Sequence, residues 1–175
     1  MKSYSYLYIG YSHDSSDVSD NDSSLHGESQ PYKEFYSVYA KMVKYDIEIG
    51  VYRPDFGGYS LNPTAKKLDD LFDGETINIH VPEIMLPYVI NENWEVIVGR
   101  RNGNGNRNTG ALPTPHPTLI GGLDPKVRMA EILHIKNGKI ASYDNQSGHF
   151  RPNIKSMWVA DKAFKKYPKT EDFAQ

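Results

Sequence analysis

HPTLIGGLDPKVRMAEILHIKNGKIASYDNQSGHFRP, residues 116–152, carries a hairpin at its centre. Arg128 to Lys136 runs mostly apolar, Asn137-Gly138 interrupts it, and Lys139 to Asp144 resumes the strand. Asn-Gly tolerates positive φ at both central positions of a type I′ turn, whose twist matches that of paired strands. A two-residue turn sets Ile135 opposite Ile140, Leu133 opposite Ser142 and Glu131 opposite Asp144. His134, Ile132, Ala141 and Tyr143 then share the other face, because side chains alternate along a strand. Glu131 against Asp144 is a like-charge pair, unfavourable unless a cation or substrate relieves it. A histidine flanks the hairpin on each side. His116 sits between Pro115 and Pro117, ahead of Gly121-Gly122, and His149 lies in Ser147-Gly148-His149-Phe150-Arg151-Pro152.

Upstream, the alternation of Tyr4, Tyr6 and Tyr8 with Ser5, Leu7 and Ile9 predicts a short strand. Residues 12–28 are rich in Ser, Asp and Asn and contain no Lys or Arg. Such a tract buries too little apolar surface to offset its ordering entropy, which predicts a flexible acidic segment. From Pro31 to Ile49, Tyr32, Phe35, Tyr36, Tyr39, Met42 and Val43 recur at helical spacing, with Pro31 in a tolerated first turn. Asn62-Pro63 to Gly74 predicts a second, shorter helix. Strands are expected at Thr76–Val81 and Trp94–Val98. Arg100 to Pro115 is dominated by Gly and Asn and predicts a mobile loop carrying Arg100, Arg101 and Arg107. Asn153 caps a last helix with Ile154, Met157, Trp158 and Phe164 at helical spacing. The pattern is that of a single α+β domain over residues 1–175: a helical N-terminal half, an antiparallel meander and a C-terminal helix.

The chain has 175 residues, a formal net charge of -2 and no cysteine. This charge argues against a duplex-DNA binder. Disulfides, thiol nucleophiles and Cys-based zinc sites are excluded. The N-terminus lacks the apolar core of a signal peptide, and no stretch approaches the roughly 20 apolar residues that span a bilayer. The expected location is the cytoplasm, or a target cell reached without a signal of that kind. NGNGNR lacks the spacing and context of a dinucleotide fingerprint, and the histidines lack metal-ligand spacing, so no cofactor or metal is expected.

Val98-Gly99, His116-Pro117-Thr118 leading to Gly121-Gly122, Met129-Ala130-Glu131, Asn137-Gly138 and Ser147-Gly148-His149-Phe150-Arg151-Pro152 follow one another in a familiar order. The run from Val96 to Pro152, about a third of the chain, resembles a module of plant IQ-motif calmodulin-binding proteins and of fungal and bacterial effector- or toxin-like proteins. Phe150 stands where the module commonly has Tyr, and Pro117-Thr118 where it has two serines. The loop from Asn102 to Pro115 is an insertion. No IQ motif is present, so calmodulin binding does not carry over. The resemblance implies an effector-like setting rather than a particular chemistry.

Two imidazoles can share acid–base work near neutral pH. Metal-independent ribonucleases use such a pair with a cation for the phosphate. Here the pair is His116 and His149, with Glu131 as a further catalytic candidate. Arg151, Arg128 and Arg101, with Ser147 and Thr118, are the candidates for holding substrate. An alternative is NAD-dependent ADP-ribosyl transfer, with Glu131 as anchor and His116 on the ribose, although the chain lacks an Arg/Ser-Thr-Ser/Glu-x-Glu set. A third is a non-catalytic module that binds a protein target. Against all three stands a bland expectation for His149: a tight turn whose imidazole bonds a backbone carbonyl.

Overall fold

The computed structural model describes residues 29–101, 112–144 and 147–173. The expected Tyr4–Ile9 strand, the acidic segment 12–28, Arg107 and most of the Gly/Asn loop lie outside these residues. The fold is α+β. Its strands are β1 (Tyr36–Ser37), β2 (Tyr52–Arg53), β3 (Gly58–Tyr59), β4 (Lys66–Lys67), β5 (Glu83–Ile90), β6 (Val96–Val98), β7 (Lys126–Val127), β8 (Met129–Lys136) and β9 (Lys139–Tyr143); its α-helices are α1 (Ala40–Glu48) and α2 (Met157–Ala163). The main sheet has five antiparallel strands in the order β4-β6-β5-β8-β9.

The sheet is covered on both faces. On one, Tyr88, Ile90, Met129, Leu133 and Ile135 pack against Val159 and Ala160 of α2 and Phe164 beyond it. On the other, Val89 and Ala130 pack against Tyr36, Leu119, Val127 and Phe150. Each large side chain so buried contributes about 1.5–3 kcal/mol. Double burial explains why β5, EIMLPYVI, is a continuous apolar run without alternation. It pairs with β8 along its whole length, from Glu83 with Lys136 to Ile90 with Met129. Pro87 sits where the β5–β6 ladder ends. The Gly99 amide donates to Pro87 O at 3.4 Å, and no return bond forms because proline has no N–H.

The Asn137-Gly138 turn forms as expected, with φ of 52° and 80°. Ile135 does face Ile140, but a bulge then moves the register: His134 pairs with Ser142 and Leu133 with Tyr143. Ala141 is the extra residue of β9, and beyond it the expected pairings fail. Tyr143 turns to the helix face, stacks on Phe164 at 4.8 Å and donates to Asp161 at 2.6 Å. The Asp144 amide bonds Ile132 O at 3.2 Å, so Asp144 does not stand opposite Glu131.

Among the described residues the expected helical N-terminal half is not evident. Residues 31–39 are extended or turning, and α1 begins only at Ala40. Tyr36 instead pairs with Val127 in β1–β7, and its buried hydroxyl meets Ser156 Oγ at 2.6 Å. The Gln30 side chain holds this segment by donating to Ser37 O and Phe150 O at 2.8 and 2.6 Å. Asn62 caps a turn through Thr64 N, but Lys66–Lys67 then joins the sheet beside β6, leaving one 3-10 turn at Leu68–Leu71. The expected strand at Thr76–Val81 is reduced to a bridge between Ile77 and Phe72. Strand pairing in β6 begins at Val96, after Trp94 has taken a left-handed φ of 66°. At the C-terminus Asn153 caps, accepting from Lys155 N at 2.9 Å, but what it caps is the 3-10 turn Ile154–Ser156; α2 follows from Ser156 without a side-chain cap. Of the anticipated stripe, however, Ile154 and Trp158 face outward.

Candidate functional site

His116 opens a 3-10 turn, His116–Leu119, laid against the face opposite α2. The Asn62 amide anchors this turn at Thr118 O, 2.8 Å away. His116 Nε2 lies 2.7 Å from Glu131 O in the middle of β8. A carbonyl only accepts, so Nε2 carries the proton and Nδ1 presents a lone pair. Ser147 Oγ stands 3.5 Å from that Nδ1 and accepts the Phe150 amide at 3.2 Å. The His116 ring is buried. Burial foremost, with the charges of His149 and Arg101 adding to it against the Glu131 carbonyl bond, pushes its pKa down to about 3. His116 is therefore a neutral, oriented imidazole at physiological pH.

His149 is held by a carboxylate rather than a carbonyl. Its Nε2 lies 3.0 Å from Asp46 Oδ2. The same oxygen accepts the Tyr59 hydroxyl at 2.6 Å. A buried carboxylate needs such partners, because desolvating an unpaired charge is costly. Burial first, then the Asp46 charge, raises the Tyr59 phenol far above its ordinary pKa, so it stays protonated and donates. Asp46 comes from the inner side of α1, beside Met42. Tyr59 is fixed through its backbone: its N–H and C=O bond Gly122 O and N, each at 2.9 Å. This approach is so close that a Cβ on Gly58 would lie 2.3 Å from Gly122 O. The Gly121-Gly122 segment of the sequence motif thus positions the phenol that braces His149. The His149 side chain keeps an 11% exposed edge.

The remaining candidates divide. Arg101 is buried near His116, and Arg151 is buried with its guanidinium over the Tyr39 ring at 4.9 Å. The Thr118 hydroxyl donates to Pro115 O at 2.7 Å and closes its own turn. Glu131 is fully buried, but alternation along β8 sends its side chain to the α2 face with Met129 and Leu133, opposite Tyr88. Its charge helps raise the Tyr88 phenol, after burial. The sheet therefore separates the Glu131 carboxylate from His116 and His149; only its backbone carbonyl reaches the site. Arg128 lies elsewhere. Its guanidinium is 4.6 Å from both the Phe35 and Trp94 rings and donates to Glu92 O at 3.2 and 3.0 Å.

Asp46 and Tyr59 were not anticipated from the sequence. The available signal was Asp46 itself, an acid four residues after Met42, in line with the apolar stripe of its helix. The assembled site offers one carboxylate-braced imidazole with an exposed edge, one neutral imidazole, a buried serine and Arg101, while Arg151 lies over the Tyr39 ring. That set can exchange a proton beside an anion. The chain matches no family model, no curated protein and no solved structure.

Proposed function

We propose that this chain is an effector- or toxin-like enzyme that cleaves RNA phosphodiesters with His149 as its proton-exchanging group. The observation that carries the proposal is the 3.0 Å contact between His149 and buried Asp46. A carboxylate behind an imidazole fixes its orientation and stabilises the imidazolium formed on proton uptake. His149 takes the proton of a 2′-hydroxyl, O2′ bonds to phosphorus, and the P–O5′ bond breaks. The imidazolium returns its proton to O5′, leaving a 2′,3′-cyclic phosphate and a 5′-hydroxyl. Arg101 and Arg151 supply positive charge for the phosphate. His116, with a pKa near 3, positions groups and does not serve as the acid. The sequence resemblance supports the effector-like setting.

The experiment is RNA cleavage by the wild type, His149→Gln and Asp46→Asn, with product ends identified by mass spectrometry. The expected result is cyclic-phosphate ends from the wild type, and losses on the order of 10²–10⁴-fold in variants that fold normally. Fully active His149→Gln protein overturns the mechanism. Release of nicotinamide from NAD with RNA untouched favours ADP-ribosyl transfer instead.

A specific observation favours a non-catalytic alternative, in which the motif is structural. The Ser147–Pro152 segment is laced to residues 30–39: Tyr39 N bonds His149 O and Gln30 N bonds Arg151 O, each at 2.8 Å. If that clasp is the motif's whole purpose, His149→Gln lowers stability and no activity exists to lose.

A further inference from the structure

A second chemically distinctive feature lies on the α2 side of the sheet, away from His149. A groove of about 680 Å³ runs between the β5–β6 turn, β4 and the end of α2. Lys67, Lys162, Lys165 and Lys166 line it with Asp69 and Glu95. Both acids are engaged: Lys67 reaches Glu95 at 2.7 Å and Lys166 reaches Asp69 at 2.7 Å, while Tyr167 donates to Asp69 as well. Four ammonium groups against two carboxylates leave an excess of two positive charges, at Lys162 and Lys165.

Aromatic rings accompany that charge. Trp94 lines the groove, with Lys162 Nζ 4.6 Å from its ring centre. Trp158 lies 5.8 Å from Trp94 between centroids and is 48% exposed. Its indole is steadied by a 3.2 Å bond from Nε1 to Tyr32 Oη. Trp94 reaches its place through a left-handed φ of 66°. That conformation is unfavourable for a residue with a Cβ, and Gly or Asn adopts it more readily. Asn91 Oδ1 stabilises the turn by accepting from the amides of Asn93 and Glu95 at 3.0 and 2.9 Å. Trp94 packs against the core at one wall of the basic groove, and the half-exposed Trp158 stands beside it.

Positive charge tracking a backbone, with an exposed ring for a base, is the chemistry that holds single-stranded nucleic acid. A duplex calls for more phosphate contacts than two excess lysines supply. An anionic membrane calls for a projecting apolar face rather than a concavity laced with ion pairs. We infer that the groove docks a single-stranded polynucleotide, with phosphates on Lys162 and Lys165 and a base against Trp158. The choice of polymer rests on the RNA-directed function above, while the residues are independent of that site.

Fluorescence anisotropy of a labelled 12-nucleotide oligothymidine on the full chain tests this. The probe has no 2′-hydroxyl, so binding is read separately from cleavage. Lys162→Glu/Lys165→Glu is expected to weaken binding at least tenfold and flatten the salt dependence by about 1.4 in log–log slope. Trp158→Ala is expected to weaken it about fivefold or more. Lys136→Glu, at the far end of the hairpin, is the control and leaves binding unchanged. Far-UV circular dichroism establishes that each variant folds. Unchanged affinity in the double-lysine variant, equal affinity for duplex DNA, or binding to phosphatidylserine vesicles without oligothymidine binding overturns the inference. If oligothymidine binds as expected while RNA stays intact, the groove stands and the cleavage proposal falls. If RNA is cleaved while the groove variants bind normally, the reverse holds.

Discussion

His149 and Asp46, 103 residues apart in the chain, meet at 3.0 Å between Nε2 and Oδ2. The contact joins the loop after β9 to α1 and is the polar centre of the face opposite α2. Tyr59 completes it by donating to the same carboxylate oxygen. Such a pair roughly breaks even against an apolar replacement, but removing one member strands the other. Stability and function therefore respond differently to different substitutions at one position.

Asp46→Ala should cost about 3 kcal/mol, because it leaves Tyr59 and His149 facing an apolar gap. Asp46→Asn keeps the shape and an oxygen for the Tyr59 hydroxyl, so its stability loss should be about 1 kcal/mol. It withdraws the charge that supports an imidazolium, and RNA cleavage should fall on the order of 10²–10⁴-fold. Urea unfolding and initial rates measured side by side decide the matter. An Asp46→Asn protein with wild-type rates would show that Asp46 does not act through His149.

Arg128 supplies a contrast. Its guanidinium lies against Phe35 and Trp94, with two bonds to Glu92 O. Arg128→Ala should lower stability by about 2 kcal/mol through lost cation–π contact and stem packing. Cleavage should remain at the wild-type rate per folded molecule. Loss of activity with an unchanged melting temperature would place Arg128 back among the substrate contacts.

The parts of the fold that were legible from sequence were those fixed by local chemistry. Asn137-Gly138 specifies its turn whatever surrounds it, and Asn153 caps through its own side chain the 3-10 turn Ile154–Ser156 that leads into α2. What was not legible was decided by distant partners. Tyr36 sits on a convincing helical stripe, yet its hydroxyl finds Ser156 and its backbone finds Val127. β5 carries no period-two signal because both faces are covered, and a proline within a run is a feature of edge rather than central strands. Ala141 gave no sign of a bulge, and that one residue misplaced Tyr143 and Asp144. In the site, His116 and His149 were singled out by the motifs around them, and their own partners differ: Glu131 O for one and Asp46 for the other. Asp46 and Tyr59 arrive from other segments, and the side of the sheet that Glu131 faces depends on which strand covers β8.

Gly58 and Gly57 test how Tyr59 is held. Both have positive φ, 85° and 92°, so alanine is strained at either position. Gly57 faces open space, whereas a Cβ on Gly58 would meet Gly122 O at 2.3 Å. Gly57→Ala should cost about 1 kcal/mol. Gly58→Ala should cost more than 2 kcal/mol and reduce activity as well, because β3 must shift and carry Tyr59 away from Asp46. Thermal melts of the two variants give the comparison, and equal losses would refute the close-approach argument.

His116 should make the protein acid-labile in a defined window. Burial holds its pKa near 3, against an ordinary value of 6.5. Below pH 6.5 the unfolded chain binds a proton at this ring that the folded chain refuses. The unfolded state then holds more protons, so stability falls as pH falls. The contribution is complete above pH 6.5 and is lost progressively down to about pH 3, where the folded ring also titrates. Between pH 6.5 and pH 5 the loss from this group is about 2 kcal/mol. His116→Gln places an amide nitrogen where Nε2 stood, keeps a donor for Glu131 O, and does not titrate. Urea unfolding of wild type and His116→Gln from pH 8 to pH 4.5 isolates the effect, because other titrating groups are common to both. The difference in stability between them should stay flat above about pH 7 and move against the wild type by about 1.4 kcal/mol per pH unit well below 6.5. Parallel curves across the whole range would mean that His116 takes up its proton in the folded state as readily as in the unfolded one.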